Sequence, residues 1–144
     1  MSVKAKDPNI LLIDDEELTL ELIKHMLDEI DVGEVFTSSN GKRALSILQK
    51  TPGHYDLIIS DWEMPGMNGL DFLTAFRQFD KQTPVLMVTG NTRRDLVMEA
   101  IKAGVNDFLG KPFTARDLLA KVKKLTVSVG VSEVDRSAKT PELS

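Results

Sequence analysis

Blocks of apolar residues recur along the chain, each followed by polar or turn-forming residues and then by apolar positions at helical spacing. The run Asn9-Ile-Leu-Leu-Ile13 meets Asp14-Asp15-Glu16-Glu17, after which Leu18, Leu20, Leu22, Ile23, Met26, Leu27 and Ile30 follow a roughly 3.6-residue period. This predicts a strand, an acidic turn and a helix. Val35-Phe36 leads through Gly41 to Ala44, Leu45, Ile47 and Leu48, and Leu57-Ile-Ile59 leads through Ser60-Asp-Trp-Glu-Met-Pro-Gly-Met-Asn-Gly69 to Leu70, Phe72, Leu73 and Phe76. Pro84-Val-Leu-Met-Val88 precedes Leu96, Val97, Ala100 and Ile101, and Asp107-Phe-Leu109 precedes Leu118, Leu119, Val122 and Leu125.

Strands separated by helices need right-handed crossovers, and uninterrupted apolar strands need cover on both faces. An α/β doubly wound domain with a five-stranded parallel sheet and helices on both faces follows. Ligands of such folds bind beyond the carboxyl ends of the strands, so the residues there form a candidate site: Asp14, Asp15, Ser38, Asp61, Thr89 and, just past the fifth strand, Lys111. The domain is expected over residues 9–127. The polar stretch 1–8 and the aperiodic, Ser/Thr/Glu/Lys-containing stretch 128–144 are expected to be flexible tails, the second being a terminus or the start of a linker.

Composition narrows the choice of chemistry. At 144 residues, 42% hydrophobic and 28% charged, the chain suits one globular core. It has no Cys, which excludes disulfides, thiolate metal sites and a cysteine nucleophile, and its two His leave any metal to carboxylates. The formal charge of -4 and pI near 5.2 argue against nucleic-acid binding. With no apolar run of membrane-spanning length and no apolar leader, a cytoplasmic protein with no membrane partner is expected.

Asp14 and Asp15 have two readings: an acid before a helix can cap it, or both can hold a cation. Capping needs one acid only. Two carboxylates about 4 Å apart repel by about 4 kcal/mol at an effective dielectric near 20, so clustering them with Asp61 calls for positive charge. An oxygen-only donor set favours a hard divalent ion, and few protein ligands with room for water favour Mg²⁺, with Mn²⁺ as a substitute. Mg²⁺ favours phosphate oxygens. Lys111 then supplies a second cation, Thr89 a hydroxyl for a phosphoryl oxygen, and Asp61 the nucleophile.

The acid pair Asp14-Asp15, the Ser60–Gly69 stretch, Val88-Thr-Gly90 and Ala103-Gly-Val-Asn-Asp-Phe-Leu-Gly-Lys-Pro-Phe113 together resemble the receiver domain of two-component response regulators, over about Asn9 to Leu125. The third-strand stretch is most similar to the single-domain chemotaxis regulators. The resemblance implies a flavodoxin-like strand order 2-1-3-4-5. It implies Asp61 as phosphoacceptor, Asp15 as direct Mg²⁺ ligand, Asp14 as the acid holding the metal's water shell, and Glu63 as the donor of a backbone carbonyl to the metal. Thr89 is the implied switch hydroxyl, Phe108 the aromatic switch, Lys111 the lysine that contacts the phosphoryl group, and Lys111-Pro112 a cis bond. The implied donor is a phosphohistidine on a sensor histidine kinase or a histidine phosphotransfer protein. The implied response is a change in the face formed by the fourth helix, fifth strand and fifth helix, which controls an output partner that the sequence does not identify.

Phe108 lacks the hydroxyl of the tyrosine found in chemotaxis members. Glu63 and Asn91 occupy the positions that tune phosphoryl lifetime, where chemotaxis members place an amide and an acid the other way round, so slower hydrolysis is expected here. His25 and His54 are expected in an exposed helix and a loop, and Trp62 as a partly exposed pocket wall. Arg93 and Arg94 are expected as a solvated pair or a partner-binding patch, and Lys121, Lys123 and Lys124 as ordinary cations near a helix C-terminus. Two other functions would use the same fold. A phosphate-independent scaffold would have no reason to retain the acid cluster, and a Mg²⁺-dependent phosphohydrolase would place its two acids two residues apart rather than adjacent.

Overall fold

The computed structural model describes residues 7–90 and 93–127; most of the two expected tails, and Asn91, lie outside the described residues. Five strands alternate with five helices: β1 (Ile10–Ile13), α1 (Glu17–Leu27), β2 (Val35–Ser38), α2 (Gly41–Lys50), β3 (Leu57–Asp61), α3 (Gly69–Phe76), β4 (Val85–Thr89), α4 (Arg94–Ala103), β5 (Asp107–Gly110) and α5 (Ala115–Thr126). All pair in parallel, in the order β2-β1-β3-β4-β5. The expected strands all form. The third runs two residues further than its apolar run, so that Ser60 and Asp61 are inside it.

Strand alternation sends successive side chains to opposite faces. Leu11, Ile13, Ile58, Val85 and Met87 pack under Ala44, Leu48, Phe72, Leu73, Phe76 and Ala100, which places α2, α3 and α4 on one face. Ile10, Leu12, Leu57, Ile59, Leu86 and Val88 pack under Leu20, Ile23, Leu27, Leu118 and Val122, which places α1 and α5 on the other. Helix starts are set by local chemistry. Asn68 and Thr114 form capping boxes with Asp71 and Asp117. α4 ends at Gly104, whose φ of 102° suits glycine.

Polar side chains tie down the end of the sheet away from the strand carboxyl ends. Arg77, partly buried at the end of α3, donates to the carbonyls of Asp80, Thr83 and Gly104 and to Asn106 Oδ1, while its guanidinium lies 5.5 Å from the Phe76 ring centroid. Asn106 Oδ1 in turn accepts from the N–H of Val85, so one guanidinium joins the end of α3, the start of β4 and the α4–β5 turn. Asp107 is buried and accepts from both Lys121 and Lys124 of α5 at 3.0–3.2 Å. These two lysines therefore compensate a buried carboxylate, a more specific role than the helix-end cations expected of them.

Candidate functional site

β1 and β3 are neighbours, so their carboxyl ends deliver acids to one place. Asp14 and Asp15 follow β1, and Asp61 is the last residue of β3. One carboxylate oxygen from each lies within 4.8 Å of the others; Asp14 and Asp61 are buried and Asp15 is exposed. Lys111, carried past the end of β5 and held by its N–H to the Thr89 carbonyl at 2.8 Å, brings its Nζ to 3.1 Å from Asp61 Oδ1. The Lys111-Pro112 bond is cis. Thr89 closes β4 and is buried.

Neither acid caps α1. Glu16 occupies the N-cap position without a side-chain cap, and Asp14 Oδ1 accepts the Glu16 N–H at 2.8 Å, fixing the turn out of β1. Burial pushes the Asp14 carboxyl up to about 6, the Glu16 N–H pulling it down and the charge of Asp61 adding to the rise. Burial likewise raises Asp61 above the ordinary carboxylate range, opposed by the Lys111 ammonium and the Glu63 N–H and reinforced by Asp15. For Lys111, burial favours loss of the proton, but the hydrogen bond and charge of Asp61, with Asp14 and Glu16 behind it, outweigh burial and raise it. One ammonium faces three carboxylates, and the surplus negative charge, all on oxygen, fits a hard divalent cation such as Mg²⁺.

Other candidates fall elsewhere. Ser38 is buried at the end of β2, with its hydroxyl donated to the Asn40 carbonyl, so it serves the turn into α2. Glu63 is exposed beside the acids. Trp62, expected at a partly exposed wall, is only 7% accessible. Its ring stacks on half-buried Phe108, with centroids 6.4 Å apart and planes inclined by 26°, because the residue after Asp61 faces the α3/α4 side of the sheet. His25 is exposed on α1. His54 is half-buried, within 3.2 Å of Glu34 and edge-on to Phe36 and Tyr55. Arg93 precedes α4 and pairs with Asp95 in the open.

Sequence patterns do not single out Ser60 and Gly69. Gly69 opens α3 against the strand end: a Cβ there would meet the Asp61 carbonyl at 2.6 Å and the Trp62 Cα at 2.8 Å. Only the close packing of a helix start on backbone explains this glycine, and no spacing rule anticipates it.

A five-stranded 2-1-3-4-5 sheet with three acids and a lysine at its carboxyl end defines a receiver-type α/β domain. The chain belongs to the family of response regulator receiver domains, whose sequence profile matches residues 10–123. It is 40% identical over 118 residues to the chemotaxis protein CheY of Pseudomonas aeruginosa, covering 81% of this chain and 94% of that one. It is 37% identical over 126 residues to CheY-3 of Vibrio cholerae, covering 86% and 95%. Among solved structures, Vibrio cholerae CheY4 superposes with a TM-score of 0.76 at 33% identity, covering 83% of this chain and 98% of that one. A receiver domain protein from Clostridium thermocellum superposes with a TM-score of 0.76 at 34% identity, covering 83% and 94%. Receiver domains of this kind are signalling switches rather than classical enzymes. Among the described residues no helix is long and apolar enough to cross a membrane.

Proposed function

We propose that this chain is a phosphorylation-activated switch that accepts a phosphoryl group on Asp61 from a phosphohistidine of a sensor histidine kinase or phosphotransfer protein. The observation that carries it is the buried Asp61 carboxylate, 3.1 Å from the Lys111 ammonium and clustered with Asp14 and Asp15. An Asp61 oxygen attacks phosphorus, the O–P bond forms, and the N–P bond breaks with its electron pair leaving on the imidazole. Hydrolysis of the acyl phosphate by water later returns the carboxylate and inorganic phosphate.

Asp14, Asp15, Asp61 and the Glu63 carbonyl would hold Mg²⁺, or Mn²⁺ in its place. The bound ion supplies positive charge that lets phosphoryl oxygens approach the acids. Lys111 exchanges its partner from the Asp61 carboxylate to a phosphoryl oxygen, and the Thr89 hydroxyl donates to another. Drawing Thr89 inward frees space for Phe108, whose ring already rests on Trp62 and is half-buried. The α4–β5–α5 face changes in consequence and presents a different surface to an output partner. The protein catalyses its own phosphorylation and dephosphorylation, acts in the cytoplasm, and engages neither nucleic acid nor membrane.

Intact mass after incubation with acetyl phosphate tests this. A gain of one phosphoryl group that requires Mg²⁺ and is lost in Asp61→Asn is expected. No gain would favour a phosphate-independent scaffold, and repeated turnover of small phosphate esters would favour a phosphohydrolase.

A further inference from the structure

Ser60 is fully buried on the α3/α4 side of the sheet. Its register partners are Ile13 on β1 and Met87 on β4, both buried and apolar, so packing alone would favour an alanine. A buried hydroxyl is costly unless it is hydrogen-bonded. Ser60 Oγ donates at 3.0 Å to the carbonyl of Asp61.

The place of that carbonyl gives the bond its use. On β3, Ile58 and Trp62 donate their N–H groups to Pro84 and Val88 on the β4 side. By the alternation of a parallel strand, the backbone of Asp61 belongs to the β1 side, where pairing ends at Ile13 and Ser60. The Asp61 carbonyl therefore lies beyond the last rung, and a backbone group there needs another donor. Gly69 lies close against the same oxygen, and its N–H closes on the Trp62 carbonyl at 2.7 Å.

We propose that Ser60 is a positioning residue for the phosphoacceptor: its hydroxyl holds the Asp61–Trp62 peptide plane at the strand end, and so fixes the direction in which the Asp61 carboxylate is presented to Lys111 and the donor. This rests on the assignment of Asp61 as acceptor. Without the hydroxyl, the carbonyl turns to find a donor and takes the carboxylate out of line. The chemical step then suffers while the fold persists.

The test compares Ser60→Ala, Ser60→Cys and Ser60→Thr with Val85→Ala, a core truncation at the other end of β4, all below their unfolding transitions. With acetyl phosphate and saturating Mg²⁺, Ser60→Ala is expected to be phosphorylated about 5- to 30-fold more slowly than wild type, the cost of one buried carbonyl left without its donor. Ser60→Thr, which keeps the hydroxyl, recovers most of the rate, Ser60→Cys, a weak donor, falls between, and Val85→Ala matches wild type. A wild-type rate in Ser60→Ala, or an equal loss in Val85→Ala, overturns the proposal. The two failures are distinguishable: a wild type that takes up no phosphoryl group overturns the acceptor assignment and this proposal with it, whereas a wild type phosphorylated at Asp61 whose rate Ser60→Ala matches overturns the role of Ser60 alone.

Discussion

Removing the charge of Asp14 should stabilise the metal-free protein while it weakens metal binding. At 4.8 Å, the limit of separation in the acid cluster, two carboxylates repel by about 3.5 kcal/mol at an effective dielectric near 20. The rise of the Asp14 carboxyl from 3.8 to about 6 gives an independent ceiling of about 3 kcal/mol at neutral pH. Asparagine keeps an oxygen for the Glu16 N–H, so little is lost in exchange. We expect Asp14→Asn to gain about 1–3 kcal/mol in urea denaturation at pH 7.5 with a chelator present.

The pH dependence has a definite sign. Between about pH 4 and 6 the folded wild type retains the Asp14 proton that the unfolded chain has already released. Rising pH therefore destabilises wild type across that window, and the advantage of Asp14→Asn should grow through it and vanish below about pH 4. Added Mg²⁺ stabilises wild type by mass action and the variant much less, which narrows or reverses the order. A variant no more stable than wild type at pH 7.5 in chelator, or a gain independent of pH, would refute the account of an Asp14 carboxylate disfavoured by burial and by its acidic neighbours.

Three further outcomes follow from particular contacts. Glu63→Gln, which removes an exposed charge beside the acids, should shorten the lifetime of the phosphorylated state several-fold, as followed by phosphate release after rapid removal of the donor; an unchanged half-life would show that this charge does not hinder the attacking water. Arg77→Ala strips the donor from the carbonyls of Asp80, Thr83 and Gly104 and should cost about 2–4 kcal/mol in urea denaturation, while Mg²⁺ binding at the opposite end of the sheet stays near wild type. Trp62, which follows the acceptor in the chain and is buried with its ring stacked on Phe108, should change its fluorescence on addition of Mg²⁺, and Phe108→Leu, which removes the stacked ring, should alter the baseline emission.

The layered fold and the acids at its strand ends are legible in the sequence because their causes are local. Ile10–Ile13 and Val85–Val88 are apolar on both faces, as parallel strands buried on both sides must be, and the acids stand where those runs stop. The Ser60–Gly69 turn and the residues around Lys111 carry the family resemblance. What escaped depends on contacts between distant segments. Nothing near Arg77 in the chain says that its guanidinium will close on the Gly104 carbonyl, and nothing near Lys121 and Lys124 marks Asp107 as their partner. Trp62 is expected near the pocket wall because it follows Asp61; its burial comes from the α3/α4-side core it joins and from the Phe108 ring that β5 brings against it. Ser60 reads as the first polar residue after an apolar run until the register shows that the β1 pairing ends beside it.

The central claim is that the phosphoryl group is carried by the Asp61 carboxylate, and chemical trapping tests it at the level of the residue. Borohydride reduction of an aspartyl phosphate yields homoserine. After incubation with acetyl phosphate and Mg²⁺, reduction and peptide sequencing by mass spectrometry should place homoserine at position 61 and leave positions 14 and 15 as aspartate. Homoserine at Asp14 or Asp15, or a stable phosphoryl group on His25, His54 or a hydroxyl residue with Asp61 intact, would contradict it.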